Sequence, residues 1–195
     1  MYGAQDSSRN RAGLTASPLQ HQFAKESPEA ADLFDELASF LADSACVVAV
    51  GNRLRQDDGA GLFVAEGLLA AGLSKPANTI FAEDVPESFL VPVAAGPWRR
   101  VVVVDAIQAD VPPGTILVGR ANELLARWSS TSTHDASLRL CCEIWEKDGK
   151  QVFLLGIVPA GITLGAPLTN TVREAIDLLI SGIAARRNGR IRHVG

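Results

Sequence analysis

Three aspartates and one histidine have the types and spacing that could do chemistry. Asp57 and Asp58 stand side by side in "VVAVGNRLRQDDGAG", shortly after the Gly51-Asn52 pair that ends a run of small, largely β-branched residues. Asp105 follows the valines of "RVVVVDA", and His134 closes "SSTSTH" at the start of a helical segment. Carboxylates and an imidazole make a mixed oxygen and nitrogen donor set, suited to a borderline divalent ion with a position left open for water or substrate. A helix N-terminus at His134 favours the neutral imidazole that can bind metal.

Each residue also has a plainer use. Either Asp57 or Asp58 could cap the helix starting near Gly59, although the second of two adjacent carboxylates is then repelled by the first. Asp105 could be a strand-end turn residue, and a lone His134 could be structural. Cys141 and Cys142 fall on an apolar stripe and read as core. Carboxylates repel phosphate, and neither a Rossmann glycine fingerprint nor a P-loop lysine is present, so the opening stretch is a poor nucleotide cradle. G-x-S-x-G, a Cys placed with a His, and HExxH are also missing, which argues against a Ser or Cys protease. From the residues alone the reading stops at a metal-binding α/β protein, with hydrolysis one option left open.

The elements that must position these groups alternate along the chain. "CVVAVG", "NTIFAE", "RVVVVDA", "GTILVG" and "QVFLLGIV" read as strands, with "RVVVVDA" apolar on both faces as a central parallel strand should be and "GTILVG" at an edge. "GAGLFVAEGLLAAG" and "HDASLRLCCEIWEK" read as helices; the second stripes Leu138, Cys141, Cys142 and Trp145 at i, i+3, i+4, i+7. "PESFLVPVAAG" starts helical and is broken by Pro92. A last helix near 169–186 carries Val172, Ala175, Ile176, Leu179, Ile180 and Ile183, with Thr171 and Glu174 as a capping box. The sum predicts an α/β fold: a three-layer α/β/α sandwich with a mostly parallel sheet, phosphorylase/hydrolase-like. In such sheets sites form beyond the carboxyl ends of strands, where Gly51, Asn52, Asp57, Asp58 and Asp105 stand.

Residues 1–26 are polar and aperiodic and read as a flexible tail. An extra helix follows over 27–44, with Ser27 as cap and Pro28 at its first position. The domain proper spans 45–187, and 188–195 is a C-terminal tail. The chain has 195 residues, the size of one domain, and a formal net charge of −4, which argues against nucleic acid as a target. No run reaches the roughly 18 apolar residues of a membrane span. The N-terminus lacks the apolar centre of a secretory signal, and three cysteines, two of them adjacent, make no disulfide framework, so a reducing cytoplasm is expected. Without an aromatic surface patch, a monomer is expected.

Several stretches together resemble the hydrogenase maturation endopeptidases: "GNRLRQDDGAG", "VPESF", "VVVVDAIQADVPPGTI", "STSTH" and "LLGIVPAGITLGAPLTNTVREAI", covering about residues 46–185. The "VPESF" and "STSTH" blocks look most like the branch serving formate-hydrogenlyase-type and related hydrogenases. The resemblance implies a peptidase that removes a C-terminal extension from a [NiFe]-hydrogenase large-subunit precursor once nickel is inserted. By the resemblance, the family's metal-contacting positions fall on Asp58, Asp105 and His134, which implies that these residues sense the substrate's nickel. The metal then arrives with the substrate, and no permanently bound organic cofactor is expected. Asp58, or Asp57, or a metal-polarised water would attack; Asn52 and the backbone near Gly51 would hold the substrate's main chain. This chain departs from the family in having Ala49 where a Gly is common, and in its N-terminal extension. Two rival readings are a nickel-binding assembly factor that does not cut, and a nucleoside phosphorylase or hydrolase using Arg53 and Arg55.

Overall fold

The computed structural model describes residues 19–21, 28–41, 45–131 and 135–192. In chain order these form β1 (Leu19–His21), α1 (Pro28–Leu41), β2 (Ala45–Val50), α2 (Ala60–Ala70), β3 (Thr79–Glu83), α3 (Leu90–Ala95) and β4 (Arg100–Gln108). Then come β5 (Ile116–Arg120), α4 (Ala121–Arg127), β6 (Ser129–Ser130), α5 (Asp135–Lys147), β7 (Gln151–Ile157) and α6 (Asn170–Arg192). The strand order is β1-β5-β7-β4-β2-β3, with β6 pairing off the end of β4. β3, β2, β4 and β7 run parallel, whereas β5 is antiparallel to both β7 and β1.

Successive strand residues point to opposite faces, and here both faces are covered. Val47, Ala49, Val102, Val104 and Ala106 join one apolar cluster with residues of α1, α2 and α6. Cys46, Val48, Val50, Val101, Val103 and Ile107 join a second with residues of α3, α4 and α5. The protein is thus an α/β fold with a mixed, mostly parallel sheet between two helical layers. The run of valines in β4 is apolar throughout because helices cover it on both sides.

Four local expectations meet a different outcome. The span 1–26 contains β1, which pairs with β5 and so moves β5 in from the edge. Helix α6 continues to Arg192, beyond the expected domain limit at 187. Pro92 breaks nothing: a 3-10 turn over Pro86–Phe89 leads into α3, and Pro92 is the third residue of that helix. In a first turn the backbone N–H has no intrahelical acceptor, so proline forfeits nothing. The cap of α6 is not Thr171 but Thr169, whose Oγ1 accepts from Val172 N at 3.4 Å.

Candidate active site

The carboxyl ends of β2, β4 and β7 lie at one edge of the sheet, and each delivers a part of the site. After β2 the chain must turn at once onto α2. Gly51 makes this possible with φ 124°, and a Cβ there would lie 1.9 Å from the Asp58 carbonyl oxygen. Asn52 N donates to that same carbonyl at 3.2 Å, closing a tight loop that ends in a 3-10 turn over Gln56–Gly59. Gln56 takes a left-handed conformation, φ 54°, immediately before the two aspartates. A non-glycine residue there is strained, and such strain gathers where a loop is held by its surroundings. Gly61 brings the first turn of α2 down onto the sheet: a Cβ would sit 2.3 Å from Val104 O and 2.4 Å from Val50 O.

Asp57 and Asp58 are both fully buried, yet their environments differ. Asp57 Oδ2 accepts from Ala160 N at 2.9 Å, Gly161 N at 3.2 Å and Thr169 Oγ1 at 2.8 Å; its Oδ1 accepts from Thr169 N at 2.7 Å. Four donors saturate this carboxylate, and Thr169 is also the cap of α6. Its geometry is that of an anchor joining the 158–169 segment to the β2–α2 turn, which leaves no free oxygen for attack on a substrate. Neither aspartate caps α2, whose N-cap position is Gly59, with no side-chain cap.

Asp58 is held from the other side. Its Oδ1 accepts from Thr131 Oγ1 at 2.5 Å. Its Oδ2, buried, has no hydrogen-bond partner among the described residues, and the guanidinium of Arg55 stands off at 3.8 Å. A buried carboxylate oxygen without a donor is costly and rare in a folded protein.

Asp105, the residue after Val104 on β4, is also fully buried. Its Oδ1 accepts from Ala106 N at 2.8 Å and its Oδ2 from Ser130 Oγ at 2.5 Å. Burial pushes its pKa up to about 7, against the pull of the Ser130 and Ala106 hydrogen bonds; the nearby charges of Asp58 and Asp135 add to the rise. Asp105 and Asp58 thus feel one another, and consecutive residues clasp them, Ser130 on one and Thr131 on the other.

The clasp is itself fixed. Ser130 N donates to Asp135 Oδ1 at 2.7 Å, and Thr131 N to Ala106 O at 3.0 Å. Asp135 Oδ2 accepts from Arg139 Nε at 2.6 Å. The remaining guanidinium nitrogens donate to Leu125 O and, at 2.9 Å, to Trp128 O, so one planar fork ties α4 and β6 to α5. His134 lies outside the described residues. Its described neighbours on either side, Thr131 and Asp135, are both tied into the site.

The substrate-binding role expected of Gly51 and Asn52 meets a physical objection. Gly51 N donates to Glu83 O at 3.1 Å and Asn52 N to Asp58 O, so neither backbone N–H is open to a ligand. The Asn52 side chain donates to Asp84 Oδ2 at 2.7 Å and accepts from Leu54 N at 2.8 Å. Both residues shape the loop. A phosphate pocket is equally unsupported: Arg53 pairs with Glu66 through both nitrogens, at 3.0 and 2.8 Å, beside the Phe63 ring. The buried thiols are inert, with burial raising Cys46 to about 12, Cys141 to about 11, and Cys142 upward as well.

Residues missed in the sequence are Gln56, Ser130, Thr131 and Thr169. The signal for the hydroxyls was present: Ser and Thr crowd the segments before α5 and α6, where side-chain oxygens find backbone and carboxylate partners.

The sequence model of one family, hydrogenase maturation protease, matches residues 84–186, which include Asp105. The Hydrogenase 3 maturation protease of Escherichia coli K12 is 28% identical over 133 residues, covering 67% of this chain and 83% of that protein. Among solved structures, the [NiFe] hydrogenase maturation protease HycI from Thermococcus kodakarensis KOD1 superposes with TM-score 0.62 at 26% identity, covering 78% of this chain and 99% of the other. The maturation protease HybD from Thermococcus kodakarensis gives TM-score 0.57 at 25% identity over 71% and 95% of the two chains.

Proposed function

The chain belongs to the hydrogenase maturation protease family and is an endopeptidase; from that premise we propose that it removes the C-terminal extension of a [NiFe]-hydrogenase large-subunit precursor after nickel insertion. Asp58, Asp105 and His134 read the nickel, which comes with the substrate. The observation that carries this reading is Asp58 Oδ2, a buried carboxylate oxygen without a hydrogen-bond partner among the described residues. Thr131 holds the other oxygen, so the carboxylate keeps one face for an incoming group.

Asp105 supports the same reading. An acid whose pKa lies near neutrality carries a proton that an arriving cation displaces, so a loaded substrate gains an ionic contact that an unloaded one lacks. Peptide hydrolysis then needs a base for the attacking water and donors for the oxyanion. With Asp58 Oδ2 given to the nickel and Oδ1 held by Thr131, the attacking group is a water polarised by the substrate's nickel. Asp57 is left as the anchor that sets the backbone on which Asp58 stands. The substrate is a cytoplasmic precursor, and the protein works on it as a monomer; buried free thiols suit that compartment. No described helix is long and apolar enough to cross a membrane.

Intact mass spectrometry of a large-subunit precursor, nickel-loaded and nickel-free, tests this directly. Loss of the C-terminal segment from the loaded form alone is expected. Binding without a mass change would mark a non-cutting assembly factor, and equal cleavage of both forms would remove nickel sensing. Asp58→Ala, Asp105→Ala and His134→Ala should each abolish processing; full processing by all three would overturn the site.

A further inference from the structure

Large apolar side chains exposed singly on a protein surface call for no explanation, but a group of them does. Leu54 is 68% exposed, Leu164 75% and Ile162 40%, and they sit on two loops that touch. Gly165 N donates to Leu54 O at 2.7 Å, and Thr163 N to Gln56 Oε1 at 3.0 Å, so the loop after β2 and the loop after β7 are laced together where these side chains emerge. The same two loops meet again at Asp57, which bonds Ala160 and Gly161, and Asp57 N donates to Gly161 O at 3.2 Å. Asp58 is the next residue. The two loop segments that carry these exposed apolar side chains therefore adjoin the carboxylates, on a backbone that a strained Gln56 and a saturated Asp57 hold in place.

We propose that Leu54, Ile162 and Leu164 form the docking ledge for an extended segment of the substrate, and that they take up an aliphatic side chain of that segment. This inference rests on the peptidase reading above. The occupant is a peptide of the substrate because the ledge is continuous with the residues that act on it. The ledge also stands beside Arg55, whose side chain is 28% exposed and only loosely paired with Asp58. The side chains are aliphatic and emerge from loops, so the ledge takes a side chain of similar character without demanding one shape.

The test uses the full chain and a nickel-loaded [NiFe]-hydrogenase large-subunit precursor, with cleavage followed by mass. Leu54→Ser and Leu164→Ser should each raise KM roughly tenfold with kcat little changed, since burying a leucine on binding is worth a factor of that order. Leu54→Met should retain most of the affinity, because apolarity is what is read. Leu140→Ser, which removes an exposed leucine on α5, is the control and should leave KM unchanged. Unchanged KM in the Leu54→Ser, Leu164→Ser double variant would overturn the ledge while leaving the peptidase reading intact. A fall in kcat with KM unchanged would also overturn it, as would a change in oligomeric state by sedimentation, which would make the ledge a contact between copies. If the wild-type chain cleaves no precursor, it is the peptidase reading on this substrate that fails, and the ledge fails with it.

Discussion

Asp105→Asn separates what this residue costs the fold from what it does in the site. Asparagine keeps the shape: its oxygen can accept from Ala106 N and its amide can face Ser130 Oγ, the two partners the carboxyl has now. A carboxyl whose folded-state pKa lies above its unfolded value takes up a proton on folding. Its contribution to stability is full below the unfolded value of 3.8 and is lost as pH rises through about 7. Relative to a non-titrating side chain the carboxyl therefore lowers stability by at most about 4 kcal/mol at pH 8, where it is ionised, by about 2 at pH 5, where folding must protonate it, and by almost nothing below pH 4. Urea denaturation of both proteins at pH 5 and pH 8 should show the asparagine variant more stable, by a margin that grows with pH at unchanged m-value. The same variant should no longer process nickel-loaded precursor. A gain equal at the two pH values, or a loss at pH 8, would refute the argument that burial of this carboxyl controls its ionisation.

Asp57→Ala strands four donors, two of them at the start of α6, and should destabilise the fold by about 3 kcal/mol in the same denaturation assay. Thr131→Val removes the only hydrogen bond found for Asp58 among the described side chains; kcat should fall about tenfold or more with the melting temperature within a few degrees. Arg139→Met frees the segment that clasps both aspartates, so kcat should fall although Arg139 touches neither, and added guanidinium should recover part of it. Gly61→Ala drives a methyl into the carbonyls of Val104 and Val50, and calorimetry should show a loss of about 3 kcal/mol or more.

The layered fold was legible because its signals are local. Valines buried on both faces mark β4, and the i, i+3, i+4, i+7 stripe marks α5, whose Leu138, Cys141, Cys142 and Trp145 are all buried. That Asp58 and Asp105 share an edge follows from Asp58 standing just beyond β2 and Asp105 lying in the carboxyl half of its parallel neighbour β4. The division of labour between Asp57 and Asp58 was not legible. Adjacent in sequence and chemically identical, they differ only through partners about a hundred residues away for Asp57 and about seventy for Asp58. Gly51 and Asn52 misled for a related reason: strand-end N–H groups look available until a neighbour such as Glu83 O is seen to occupy them. Strand β1 has three residues and no pattern of its own, and only its pairing with β5 defines it.

The grip of Asp57 has a mechanical consequence. To part the two loops it joins, the protein would have to strip four hydrogen bonds from a buried carboxylate and uncap α6 in the same motion, a penalty of several kcal/mol. That wall does not yield on encounter. Accommodation falls to the visitor, so this wall suits a pliant chain end that can drape along it and disfavours a rigid, prefolded surface.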